Sequence, residues 1–295
     1  MEESKQRKPL KREITKDTYT VSLSSEAMKK DFTIRTNLEA SKEEIIAEAF
    51  KFHSKGNFSE ALKYYQYFIK KGFTDHRVYS NYGTIMCNLG KLNDAEILLR
   101  KATKIKPDFA DAHSNLGNVL TELGKLEDAE ISVRKAIKLK PGSAEAHNNL
   151  GVILTKIDRL NDAEISIRKA IKIKPNYAEA HNNLGIILTE NGNFQDAEKS
   201  TRQAIKLKPD SAQAHSNLGS ILNSLGELEQ AEYSAKKAIE IDPVFANAHL
   251  NLGIILNDLG KLKDAEISLN KAIQLNPNWK SYFSYASCLY KDKKF

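Results

Sequence analysis

Residues 110–143 read ADAHSNLGNVLTELGKLEDAEISVRKAIKLKPGS, and this stretch decides the fold. Ala112, Leu116, Val119, Leu120 and Leu123 recur at spacings of three and four, which places them on one face of a helix. Gly124 ends that helix. A second helix opens on the acidic Glu127 and Asp128, repeats apolar residues at Ala129, Val133, Ala136 and Ile137, and closes on lysines ahead of Pro141. Gly117 and Ala129 are small where the two helices must meet, because larger side chains would force the axes beyond the roughly 8 to 10 Å of a close crossing.

The unit returns along the chain. Pro107, Pro141, Pro175, Pro209, Pro243 and Pro277 follow one another every 34 residues, and Pro9 alone lies outside the series. Ala61, Ala95, Ala129, Ala163, Ala197, Ala231 and Ala265 keep the same register, as do Gly83, Gly117, Gly151, Gly185, Gly219 and Gly253. Repetition on this scale replaces the two-domain guess that a chain of 295 residues would otherwise suggest. It predicts an all-α solenoid of stacked helix-turn-helix hairpins.

Composition narrows the setting. With 41% hydrophobic and 28% charged residues the chain can bury a core, yet no run approaches the roughly 18 apolar residues of a membrane span. The first forty residues are charged and polar and lack the apolar stretch of a secretory signal, so a cytoplasmic location is expected. Cys87 and Cys288 stand far apart, with no CxxC pair and no Cys/His cluster at zinc spacing, which argues against a disulfide framework or metal site. The net charge of +7 is only mildly basic, and nucleic-acid binding would need the cations gathered with aromatics among them.

A 34-residue helical hairpin with Leu-Gly in the first helix, Ala in the second and Pro at the boundary resembles the tetratricopeptide repeat. The resemblance covers residues 42–279 as seven units. The first departs from the pattern with Ala49 for the helix glycine and Phe73 for the proline, as suits a capping unit. The runs AHSNLG and AHNNLG are most similar to the repeats of O-linked N-acetylglucosamine transferases, which implies a long right-handed superhelix. No catalytic domain of that kind follows Pro277. One further helix does, with Trp279, Tyr282, Phe283, Tyr285, Ala286, Leu289 and Tyr290, so residues 280–295 are expected to form a single capping helix, with truncation of a larger protein or self-association through this helix as the alternatives. Residues 1–41 are expected to be a polar, disordered segment.

Several rows of recurring residues invite a chemical reading. His113, His147, His181, His215 and His249 stand where the family carries a bulky packing residue, and helices stacked roughly 10 Å apart cannot bring them to one metal ion. A structural role is expected, and no cofactor. Glu96 and Arg100, Glu130 and Arg134, Glu164 and Arg168, Glu198 and Arg202, and Glu232 and Lys236 have the four-residue spacing of exposed helix pairs. Lysines such as Lys101, Lys104, Lys135, Lys138, Lys169 and Lys172 offset negative helix ends; a basic outer stripe touching lipid or RNA is the weaker reading, because it fades at Glu240, Asp242 and Gln274 and carries no aromatics.

Asn81, Asn115, Asn149, Asn183, Asn217 and Asn251 interrupt an otherwise apolar helix with an amide in six consecutive units. Either each amide fixes helix packing by bonding a neighbouring backbone group, or the row lines the inner groove and holds the peptide groups of an extended ligand whatever its side chains. The glycosyltransferase resemblance implies the second, since matching asparagines there form an inner ladder on the substrate backbone. At roughly 10 Å per repeat and about 3.3 Å per extended residue, six amides would span about fifteen residues.

Positions that vary on the same helix face read Asp111, Glu145 and Glu179 in one row and Glu122, Lys156, Glu190 and Asp258 in another, which makes the groove acidic. Val152 and Ile186 add an apolar patch between Asn118 and Ser220. An extended protein or peptide partner with basic and aliphatic residues is therefore expected, without nucleic acid. Ser114, Asn148, Asn182 and Ser216 occupy the row where some family members carry a lysine that seizes a chaperone's C-terminal carboxylate, which disfavours a chaperone adaptor. No nucleophile-and-base constellation, phosphate loop or cofactor motif stands out, so a non-catalytic scaffold is the first expectation. The substrate-binding arm of a split or truncated glycosyl- or sulfotransferase is the rival.

Overall fold

The computed structural model describes residues 40–292, so the polar segment expected at 1–41 lies almost wholly outside the described residues. Fifteen α-helices make up the described chain, and they alternate as first and second members of hairpins. The first members are α1 (Lys42–Ser54), α3 (His76–Asn88), α5 (Ala110–Glu122), α7 (Ala144–Lys156), α9 (Ala178–Glu190), α11 (Ala212–Ser224) and α13 (Ala246–Asp258). Their partners are α2 (Phe58–Lys70), α4 (Leu92–Ile105), α6 (Leu126–Leu139), α8 (Leu160–Ile173), α10 (Phe194–Leu207), α12 (Leu228–Ile241) and α14 (Leu262–Leu275). A lone α15 (Trp279–Asp292) follows. It opens at Trp279, where the Asn278 side chain accepts the Ser281 backbone N–H and fixes the start of the helix.

Local chemistry sets each boundary. Ser41 and Glu44 form a reciprocal capping box on α1, with Glu44 Oε2 accepting the Ser41 N–H at 2.7 Å. Within the hairpins the turn requires a left-handed residue, supplied by Gly56, Gly90, Gly124, Gly192, Gly226 and Gly260 at φ between 71° and 80°. Asp158 fills the same place in the fourth unit at φ 61°, as a short polar side chain can.

The core follows from the helix glycines. At Gly151 an added Cβ would fall against Ile167 of α8, and at Gly117 against Val133 of α6, so these second helices fill the notch left by a missing side chain. In the fifth unit the residue filling the notch is Thr201, which is fully buried and whose hydroxyl has no hydrogen-bond partner among the described residues. A buried unsatisfied hydroxyl costs stability, and valine already fits the equivalent notch in the third unit. Thr201→Val is therefore expected to raise unfolding stability by about 1 kcal/mol, read as a higher urea midpoint at unchanged slope; a lower midpoint would show that the hydroxyl is satisfied.

The histidine row serves unit boundaries. Nε2 of His113, His147, His181, His215 and His249 lies 2.8 to 3.1 Å from the carbonyl oxygen of the proline six residues earlier. A carbonyl only accepts, so each ring carries its proton on Nε2 and donates it. The structural role expected of this row thus includes a polar clasp. His147 is buried, and that burial lowers its pKa, with the Pro141 bond opposing.

From α3 onward each first helix packs against the first helix of the next unit, while no pair of second helices packs in this way among the described residues. The first helices therefore form the tight inner wall of a superhelix and the second helices its splayed outer wall. On that outer wall the expected pairs are present: Glu96 with Arg100 at 3.1 Å, Glu130 with Arg134, Glu164 with Arg168 and Glu198 with Arg202 at 2.7 Å, and Glu232 with Lys236 at 2.6 Å. Cross-unit pairs link them, such as Lys125 to Glu96 at 2.7 Å and Arg100 to Asp128 at 2.8 Å.

Candidate functional site

The asparagine row lies on the first helices, half-buried throughout, and five of the six amides reach back to the first helix of the preceding unit. Asn115 Nδ2 donates to Thr84 Oγ1 at 3.1 Å and Asn149 Nδ2 to Ser114 Oγ at 3.3 Å. Asn183 Nδ2 donates to Asn148 Oδ1 and Asn217 Nδ2 to Asn182 Oδ1, both at 3.0 Å, and Asn251 Nδ2 donates to the Ser216 hydroxyl at 3.0 Å and to its carbonyl at 3.1 Å. Asn81 instead bonds the Tyr65 hydroxyl, whose pKa burial pushes up to about 12 while that bond lowers it in part.

Each amide thus spends a donor on the joint between units. The acceptors are mostly side chains, buried in the row of Ser114, Asn148, Asn182 and Ser216, rather than the backbone groups that a packing role would suggest. The amide oxygens of Asn115, Asn149, Asn183 and Asn251 accept no protein hydrogen bond among the described residues, whereas Asn217 Oδ1 accepts from Gln213 Nε2 at 3.0 Å. Four oxygens on the inner wall are thus open among the described residues.

One groove of about 500 Å³ crosses this wall, lined among others by Cys87, Asn118, Glu122, Asn149, Val152 and Glu179. It draws on four first helices, α3, α5, α7 and α9, and gathers four of the residues singled out from sequence. Asn115, Asn183, Asn217, Asn251, Ile186, Glu145 and Glu190 lie outside it, and Asn81 sits at the first joint against Tyr65.

Glu179 is the most closely held of the groove carboxylates. Its Oε1 accepts from Asn148 Nδ2 at 3.2 Å, and Asn148 is fully buried and also receives Asn183, so a chain of amides runs from one unit to the acid of the next. Burial, then the Glu179 and Glu145 carboxylates, hold the Tyr177 hydroxyl far above its ordinary pKa. That hydroxyl stays protonated and hydrogen-bonds Glu179. Glu190 sits beside Asp158: burial and then that like charge raise its pKa, and Lys280 of α15 opposes them. Burial and then Glu122 raise the Cys87 pKa, which keeps the thiol protonated and poorly nucleophilic in the groove. The Asp111 charge is partly offset by Lys140 at 3.5 Å.

The family model described as cilia and flagella-associated protein 70 C-terminal domain matches residues 27–288. The chain belongs to this family. Its repeats are of the tetratricopeptide type, and solved structures share the fold. A tetratricopeptide repeat protein from Parabacteroides merdae superposes with a TM-score of 0.67 at 20% identity, over 84% of this chain and 98% of that one. The Cut9–Hcn1 hetero-tetramer of the APC/C gives 0.73 at 15% identity over 90% of this chain and 52% of that one, and pilF of Pseudomonas aeruginosa 0.61 at 21% over 72% and 96%. At such identities the likeness is one of fold. No curated protein matches the sequence. Helical solenoids of this type serve as protein-interaction scaffolds, and no helix among the described residues is long and apolar enough to cross a membrane.

Proposed function

We propose that this member of the family is a non-catalytic, cytoplasmic scaffold whose inner wall holds an extended segment of a partner protein rich in basic and aliphatic residues. The observation that carries this reading is the convergence of Glu122, Asn149, Val152 and Glu179 on one groove built from four consecutive first helices. Carboxylates at Glu122 and Glu179 suit lysine or arginine, Val152 suits an aliphatic residue, and the open amide oxygens suit backbone N–H groups of an extended chain. The similarity of the asparagine row to the ladder of the glycosyltransferase repeats supports the backbone grip.

The test is fluorescence anisotropy with a labelled peptide of about fifteen residues built from Lys-Ile-Lys triplets. Asn149→Ala together with Asn183→Ala is expected to weaken binding roughly tenfold, the loss of about two modest hydrogen bonds. Because the same amides join units, a thermal melt accompanies each titration. Unchanged affinity in a folded variant would remove the ladder from the mechanism, and absence of peptide binding by the intact chain would end the reading.

A further inference from the structure

The outer wall carries an apolar row with no role in packing. Ile97, Ile131 and Ile165 recur at the same position of α4, α6 and α8 and are 68%, 69% and 68% exposed. One and two turns further along the same helices stand Lys101, Lys135 and Lys169, then Lys104, Lys138 and Lys172, all exposed. The arginines of these helices are neutralised by a glutamate one turn earlier, but none of the six lysines forms an ion pair among the described residues. Beyond α8 the combination breaks down, with Lys199 in place of the isoleucine and Glu240 and Gln274 in place of the last lysine.

Between the ridges the wall is furrowed. A hollow of about 310 Å³ beside α4 is lined by Tyr79, Ile97, Leu98, Arg100, Lys101 and Lys104, and another of about 400 Å³ between α8 and α10 is lined among others by Ile171, Lys172, His181, Leu184 and Lys199. Each sets basic side chains beside apolar ones. Exposed apolar side chains repeated beside unneutralised cations mark a contact surface rather than a solvated face.

We propose that the outer wall of α4, α6 and α8 is a second binding surface, whose occupant is an acidic protein segment carrying an apolar residue at about every third position. Charge complementarity selects the acidic side chains, since six cations stand unopposed over three consecutive units. The furrows select a polypeptide. Isoleucines standing singly on ridges roughly 10 Å apart would meet a flat bilayer only at their tips, whereas a chain can place one side chain in each hollow. This surface faces away from the inner groove, so the two can be occupied at the same time.

The experiment is anisotropy with the intact chain and a labelled peptide of about fifteen residues built from Leu-Asp-Glu triplets, beside the same peptide with alanine for leucine. Binding of the leucine peptide is expected to fall roughly tenfold in the triple variant Ile97→Ser, Ile131→Ser, Ile165→Ser, and in the triple variant Lys101→Gln, Lys135→Gln, Lys169→Gln. It is expected to stay unchanged when Glu122 and Glu179 are altered in the inner groove, and the alanine peptide is expected to bind more weakly. All substituted side chains are exposed, and an unshifted melting curve shows that the fold survives. The proposal is overturned by no binding of the leucine peptide, by equal binding of the alanine peptide, or by affinity that neither triple variant changes. Retention on phosphatidylserine vesicles without peptide binding would assign the surface to membranes, and a dimer abolished by the isoleucine variant, again without peptide binding, would assign it to a second copy; either result replaces the acidic segment.

Discussion

Replacing Gly151 by alanine is expected to lower the unfolding free energy by about 2 kcal/mol, within the range for overpacking a well-filled core. The added methyl would fall 2.4 and 2.5 Å from two carbons of Ile167, a fully buried side chain, and 3.2 Å from the Ala163 carbonyl oxygen, so neither helix of the hairpin can yield without moving its backbone. Alanine is the better helix former, and by propensity alone the exchange would stabilise by about 1 kcal/mol; the clash must therefore outweigh that gain. The sixth unit supplies the control. Around Gly219 the nearest atoms are 3.2 Å or more away, because Ala235 stands where the other units carry a larger residue. Gly219→Ala is expected to be neutral or stabilising, and Gly151→Ala combined with Ile167→Ala to recover part of the loss. Urea unfolding of the three variants tests this, and equal midpoints for Gly151→Ala and Gly219→Ala would show that the notch is not filled as described.

The second large effect concerns charge on the inner wall. Reversing Glu122 and Glu179 together to lysine is expected to weaken binding of the Lys-Ile-Lys peptide about 100-fold at low salt, which corresponds to about 2.7 kcal/mol. Both residues are exposed and face a shared groove, so the change adds like-charge repulsion to the loss of two attractions; because Glu179 also accepts from the buried Asn148 amide, a thermal melt accompanies the titration. Glutamine at the same positions removes only the attraction and is expected to cost less. High salt is expected to narrow the difference between wild type and both variants, since exposed charges are screened over about 3 Å at 1 M. Peptide affinity that ignores the reversal would move the ligand off this groove.

Much of the architecture was legible because each unit repeats its own instructions. Proline, glycine and alanine at fixed register mark the boundaries, the turn and the close crossing, and all three are local requirements that a single 34-residue stretch displays. The place of Asp158 in the turn row is equally visible once the period is known. Two features resisted the same reading. The donor of each ladder asparagine goes to a side chain one unit back, 35 residues away in the case of Asn183 and Asn148, and no pattern within one helix shows which amide hydrogen is committed. The signal was present in the consecutive polar pairs Ser114–Asn115, Asn148–Asn149 and Asn182–Asn183, but reading it needs the stacking geometry. Likewise Ile97, Ile131 and Ile165 stand two residues out of phase with the core positions of their helices, so the pattern puts them in solvent without showing why an apolar residue is kept there.

That splay makes the molecule resemble a bound book. The first helices are the spine, stitched by half-buried amide bonds and packed helix to helix, while the second helices are page edges linked by ion pairs between long surface side chains that can re-form at little cost. Bending therefore concentrates at the outer edge, where fanning the pages changes the pitch of the spiral without breaking a stitch. A partner seated along the edges would set how far they fan, and through that angle the curvature of the spine against which a second partner lies.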